Sequence, residues 1–246
     1  MRSPLSHAAC GALIPLILLV ACDGGSQPPA SHAPPSTAAG AGRNLAMGTG
    51  EARNPQPFTM DQRLLDAVQR DDRATVERAL ERGASIAAKD ELGRTVVLLA
   101  TMDAGDADLV RWLHAKGAAL DLPDANGRAA VSFAAADGRL DILRYLAEQG
   151  ADLQRRDVQQ RTPLFHAALG DHPDVLGFLV EHGADVNVRD QFGDTPLIVA
   201  CAKGHAASAT FLLAHGADPT ARDQEGRSAR ERSAPDTAPC RDLAAP

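Results

Sequence analysis

From about Met60 onward the apolar residues fall at i, i+3 and i+4, as in Ile142, Tyr145 and Leu146, which marks one buried stripe on a helix. The same stripe returns about 33 residues away as Leu109, Trp112, Leu113, then Val175, Phe178, Leu179, then Ser208, Phe211, Leu212. Val76, Ala79 and Leu80 open the series. Before each stripe lies a shorter, Ala-rich helical stretch, such as 128–137, which Gly138 breaks. After each stripe comes a Gly-Ala pair: Gly83-Ala84, Gly117-Ala118, Gly150-Ala151, Gly183-Ala184 and Gly216-Ala217. Glycine in that place supplies the left-handed residue that ends a helix. An aspartate keeps the same beat at Asp90, Asp124, Asp157, Asp190 and Asp223. A fixed period near 33 residues predicts stacked supersecondary units, all-α, each a short helix, a turn, a longer helix and a protruding turn. Such a stack presents a surface and seldom carries out chemistry. The column Trp112, Tyr145, Phe178, Phe211 sits at equivalent positions and is expected to pack as core.

Two segments carry more than periodicity. Thr162-Pro163-Leu164-Phe165-His166-Ala167-Ala168 and Thr195-Pro196-Leu197-Ile198-Val199-Ala200-Cys201 resemble the helix-opening Thr-Pro-Leu-His-x-Ala-Ala of ankyrin repeats. His182-Gly183-Ala184-Asp185-Val186-Asn187 and His215-Gly216-Ala217-Asp218-Pro219 are similar to that family's Gly-Ala-Asp-Val-Asn ending. The resemblance spans about residues 61–230 and implies a solenoid of about five helix-turn-helix units over 60–233, with β-turn or hairpin tips. Thr162 and Thr195 are placed to cap the short helices, and Pro163 and Pro196 suit a first turn, where a missing N–H costs nothing.

Departures from the family pattern mark where the fold has to adapt. Its motif histidine is replaced by Leu98, Ser132, Phe165 and Ile198, so the usual hydrogen-bond network is missing or rebuilt, and His166 neighbours that slot rather than filling it. Gln160 stands where Gly93, Gly127, Gly193 and Gly226 supply a turn glycine, which predicts strain. The second unit is one residue longer, with the insertion expected in 103–106 between its helices. Asp66, Arg70, Asp71, Asp72 and Arg73 give the first unit the polar character of a solenoid cap. Past Asp223 no second apolar helix follows; 228–233 supplies at most a short closing helix, and 234–246 reads as a disordered tail.

The first 21 residues read as a signal peptide: one Arg in 1–6, then an apolar run of about ten residues, too short to span a bilayer. Leu19-Val20-Ala21-Cys22 resembles the lipobox of bacterial lipoproteins, which implies lipidation (palmitate included) of Cys22. An ordinary secretory signal is the alternative. Residues 22–59, rich in Pro, Gly and Ser, form the expected flexible tether, whose ends would lie roughly 30–35 Å apart. Asp23 weakly favours the periplasmic face of the inner membrane over the outer membrane, by its resemblance to an enterobacterial retention signal.

A net charge of −7 argues against a nucleic-acid partner, since phosphate binding needs a basic footprint. Four cysteines are too few for a disulfide scaffold. Cys201 fills a small-residue core slot, and buried packing with Cys240 as a free tail thiol is the expected arrangement; pairing of the two in an oxidising compartment is the alternative. Of eight histidines, His114, His182 and His215 sit at helix C-termini, where the dipole favours them. No HExxH, CxxC or phosphate loop occurs, so no catalytic residue, metal or cofactor is expected.

The resemblance instead places a protein-binding surface on the turn tips: Glu91, Leu92, Arg94, Asn126, Arg128, Val158, Gln159, Arg161, Gln191, Phe192 and Asp194. Leu92 and Phe192 are apolar where exposed turns are usually polar, a mark of interface anchors. Arg94, Arg128, Arg161 and Arg227 are expected to pair with the turn aspartates, or else to form a basic stripe facing an acidic partner. The expected protein is therefore a monomeric, lipid-anchored periplasmic binding module. It would be a scaffold or accessory factor of an envelope process; an inhibitor or immunity protein against a toxin is the alternative, and a hydrolase the least favoured.

Overall fold

A computed structural model describes residues 59–104, 106–234 and 238–242. The expected signal peptide, Cys22 and the tether up to residue 58 lie outside the described residues. Five helical pairs follow one another: α1 (Met60–Gln69) with α2 (Arg73–Glu81), α3 (Val96–Leu99) with α4 (Ala107–Ala115), α5 (Ala130–Ala136) with α6 (Leu140–Glu148), α7 (Pro163–Gly170) with α8 (Pro173–Glu181), and α9 (Pro196–Lys203) with α10 (Ala206–Ala214). A four-residue α11 (Ala229–Arg232) closes the series. Helices α1, α3, α5, α7, α9 and α11 pack in one row, and α4, α6, α8 and α10 in a second. Among the described residues there are only isolated bridges, Lys89 with Thr95 and Arg222 with Ser228, so the fold is an all-α solenoid with hairpin-like tips.

Local chemistry sets the boundaries. Thr59 and Gln62 form a capping box at α1, Thr162 and Thr195 cap α7 and α9 with Pro163 and Pro196 in the first turn, and Ser228 and Glu231 repeat the box at α11. Gly83 ends α2 at φ +92°, with its N–H donating to the Leu80 carbonyl and that of Ala84 to Ala79, a Schellman pair. The continuous core includes Leu64, Leu98, Leu109, Leu113, Ile142, Leu143, Leu146, Leu176 and Leu179, all essentially inaccessible. Each such side chain contributes about 1.5–3 kcal/mol by leaving water.

The extra residue of the second unit is taken up from the start of the expected 103–106: α3 runs into a π-helical turn at Ala100–Ala104, two residues beyond the point that matches the end of α5 at Ala136. Widening one turn accepts an inserted residue without shifting the buried face of the next helix.

The aromatic column packs with the core as expected, though less deeply than its equivalent positions suggest. Phe178 is buried, but Trp112, Tyr145 and Phe211 are half-buried and pack against the core from its edge. The second helix row has only one face to bury, and cations cover the outer sides of these rings: Lys116 Nζ lies 5.3 Å from the Trp112 centroid, Arg111 5.3 Å from Tyr145 and Arg144 5.5 Å from Phe178.

Residues 238–242 are not the disordered tail expected. They form a 3₁₀ turn at Cys240–Asp242, and Cys240 is fully buried in a disulfide with Cys201 of α9. The expected free thiol is thus overturned. The Ala234 N–H also donates to the Cys201 carbonyl at 3.0 Å, so Ala234 and Cys240 both rest on α9 at the end of the stack.

Gln160 takes φ +63°, as the missing glycine foretold. A left-handed L-residue costs about 1–2 kcal/mol, against about 0.5–1 for the freedom a glycine loses on folding. Gln160→Gly is expected to raise stability by about 0.5–1 kcal/mol, read as a higher urea midpoint at unchanged slope.

Candidate functional site

The protruding turns are built on their aspartates. Asp90 donates its N–H to the Arg94 carbonyl at 3.0 Å, and its Oδ1 accepts from the backbone N–H of Leu92 (2.9 Å) and Arg94 (2.8 Å). Asp124, Asp157, Asp190 and Asp223 repeat the arrangement with the residues two and four places on. One carboxylate therefore folds each tip, half-buried at Asp90 and buried at the other four. Burial works to raise the Asp90 carboxyl, but the N–H groups and guanidinium of Arg94 outweigh it and hold it below the usual range.

Successive tips are stitched together. The N–H groups of Ala125, Val158, Gln191 and Gln224 donate to the carbonyls of Leu92, Asn126, Gln159 and Phe192 at 3.0, 2.9, 2.9 and 3.0 Å. The approach is close: a Cβ at Gly93 would lie 3.2 Å from the Ala125 nitrogen. The result is a continuous, pre-ordered edge running over all five tips. Along it stand Leu92, Val158 and Phe192, exposed by 56%, 59% and 47%, the large apolar residues exposed among the described ones. Glu91, Asn126 and Gln191 are exposed beside them, and Gln159 is half-buried.

The arginines at this edge are committed to structure. Arg94 pairs with Asp90 at 2.6 Å, Arg128 with Asp124 at 2.9 Å and Arg227 with Asp223 at 3.0 Å, each within its own turn. Arg161 departs from the expected pairing: its Nε lies 3.2 Å from Asp190 of the next unit, while His166 Nε2 takes Asp157 at 3.0 Å. His166 thus rebuilds locally the network that the motif histidine would have supplied. Arg156 and Arg189 reach carbonyls rather than carboxylates, Arg189 Nη1 meeting those of Gly193 (2.9 Å) and Arg222 (2.6 Å), while Arg222 reaches both the Gly226 carbonyl and, at 3.0 Å, the Glu231 carboxylate. A free basic stripe is therefore not what these residues form, although Arg94, Arg128 and Arg161 keep part of their surface open.

Asp194 leaves the candidate contact set. It is 7% exposed and ion-paired with Arg232 of α11, which also reaches Asp223 at 3.2 Å. Burial pushes its carboxyl above the usual range, with Arg232 opposing. It holds the closing helix rather than a partner. The sequence offered a signal, since Asp194 stands where the other units carry arginine. The same cluster walls an open pocket of about 280 Å³ lined by Phe192, Asp223, Gln224, Glu225 and Arg227, so the Phe192 ring rims a polar recess.

Several of the other described histidines bond helix carbonyls, whereas His114 Nδ1 meets the Tyr145 hydroxyl at 2.6 Å. His182 and His215 direct Nδ1 at the carbonyls of Phe178 and Phe211, 2.7 and 2.8 Å away, and His172 Nε2 donates to Ala136 O at 3.0 Å across units. Among the described residues no group of three ligating side chains is arranged to hold a metal.

Compared with known proteins, the chain matches a family model described as Ankyrin repeats (3 copies) at residues 64–157 and again at 154–223, more than half its length. No curated protein matches it.

Proposed function

Because the chain belongs to the ankyrin-repeat family, a protein–protein interaction module, we propose that it binds a protein partner through the stitched tip edge while held at the periplasmic face of a membrane by lipid on Cys22. The observation that carries the reading is the row of exposed apolar tips, Leu92, Val158 and Phe192, on a backbone already fixed by inter-tip hydrogen bonds. A pre-ordered surface loses little entropy on association, and apolar anchors supply most of the affinity. The Cys201–Cys240 disulfide supports an oxidising compartment, in keeping with the lipobox-like Leu19-Val20-Ala21-Cys22. The role is that of a scaffold or accessory factor that concentrates its partner near the membrane.

Phe192→Asp is the test. The side chain is half exposed and supports no core, so the variant is expected to fold with an unchanged urea midpoint. Loss of a central aromatic anchor costs about 2–4 kcal/mol, or at least thirtyfold in affinity. Capture from envelope extracts by wild type and variant, compared by quantitative mass spectrometry, reads the loss. Identical captured sets would overturn the assignment of this edge.

A further inference from the structure

The first helical pair carries a second site of different chemistry. A pocket of about 180 Å³ opens between α1 and α2, lined by Met60 and Arg63 from α1 and by Thr75, Arg78, Ala79 and Arg82 from α2, with no residue of the second unit reaching it. Three arginines line this one recess and no acidic residue does. Of the neighbouring acids, Asp61 accepts from the Ser85 N–H at 2.7 Å, Asp66 pairs with Arg70 at 2.5 Å and Glu77 with Lys116 at 3.2 Å, while Asp72, which accepts from Thr75 Oγ1 at 2.5 Å, attracts Arg78. Arg63 and Arg82 form no ion pair among the described residues. Arg78 is fixed in place, donating Nε–H to the Ala74 carbonyl (3.2 Å) and Nη2–H to Thr75 Oγ1 (2.7 Å).

A solvating end cap needs polar residues of either sign; it does not need three cations facing one another. Asp72 answers Arg78, but Arg63 and Arg82 have no such counter-charge; an anion between them would supply it, and guanidinium forks match phosphate oxygens bidentately. Met60 and Ala79 add an apolar floor beneath the charged rim. We propose that this pocket binds a phosphate-bearing ligand, either a phospholipid headgroup or a free phosphate. Its location favours the headgroup, because Met60 lies where the chain enters the fold from the N-terminal segment that the proposed anchoring attaches to a membrane. The site itself is independent of the tip edge.

The experiment uses the full chain with Cys22→Ser, so that no acyl chain contributes. One arm titrates inorganic phosphate calorimetrically; the other floats the protein with phosphatidylcholine vesicles with and without phosphatidylglycerol. The expected result is binding that requires the anionic lipid and falls about thirtyfold in R63Q/R82Q, from roughly fivefold per arginine near an anionic surface. Binding of phosphate alone supports the site with a soluble ligand, and vesicles alone with a headgroup. Arg111→Gln with Arg144→Gln, two bases on the second helix row, should leave binding unchanged. Absence of binding in both arms, an R63Q/R82Q variant that binds like wild type, or an equal loss in the control pair would overturn the proposal.

Discussion

Replacing Cys201 and Cys240 together by alanine is expected to cost about 4 kcal/mol of stability, the largest single loss foreseen here. A bridge spanning 39 residues removes that much chain entropy from the unfolded state. The loss should also be uneven. Units of a solenoid touch only their neighbours, so uncapping one end melts that end first. Trp112, the single tryptophan, sits in α4 far along the chain from the bridge, whereas circular dichroism reports every helix. In urea the two signals should coincide for the oxidised wild type and separate for the double variant, with ellipticity lost before fluorescence changes. Reductant should move the wild type to the variant's behaviour. Coincident, unshifted transitions after reduction would show that the bridge does not secure the last unit.

That bridge also shows where sequence reasoning reaches its limit. The solenoid was legible because its signals are local and repeated: a glycine to stop each second helix, a threonine and proline to start two of the short ones, and an aspartate inside each tip. The docking of Cys240 rests on a contact 39 residues away, made by a segment with no apolar periodicity to announce it. The fourth unit was half legible. Gln160 announced a strained turn, but Arg161 crossing to Asp190, with His166 moving in on Asp157, depends on four side chains choosing partners together. In the candidate surface, the exposed tips Leu92 and Phe192 could be read from residue type against position. Asp194 was legible only in part: an acid where the other units carry arginine marks the place as different, but its burial follows from Arg232 on a closing helix that the sequence marked only as a short stop.

The same fourth unit yields the second large effect. Asp157→Ala is expected to cost about 3 kcal/mol, since a carboxylate only 4% exposed is removed from three donors at once: the N–H groups of Gln159 and Arg161 and the ring N–H of His166. Asp157→Asn keeps an acceptor for the two backbone donors and should cost about half as much, which separates the turn contribution from the histidine's. The histidine makes the unit sensitive to acid. Burial lowers the His166 pKa, and Asp157, which opposes that, does not restore it. With the folded value below the unfolded one of about 6.5, the folded state prefers neutral imidazole. This contribution to stability is complete above the unfolded value and is lost as pH falls through the folded one. Urea midpoints between pH 7 and pH 5 should therefore decline for the wild type and decline less for His166→Gln, whose side chain keeps a donor but does not titrate. Without Asp157 the ring loses the one neighbour that favours its charge, so Asp157→Ala should extend the decline to lower pH. Parallel profiles for wild type and His166→Gln would mean that another group carries the acid sensitivity.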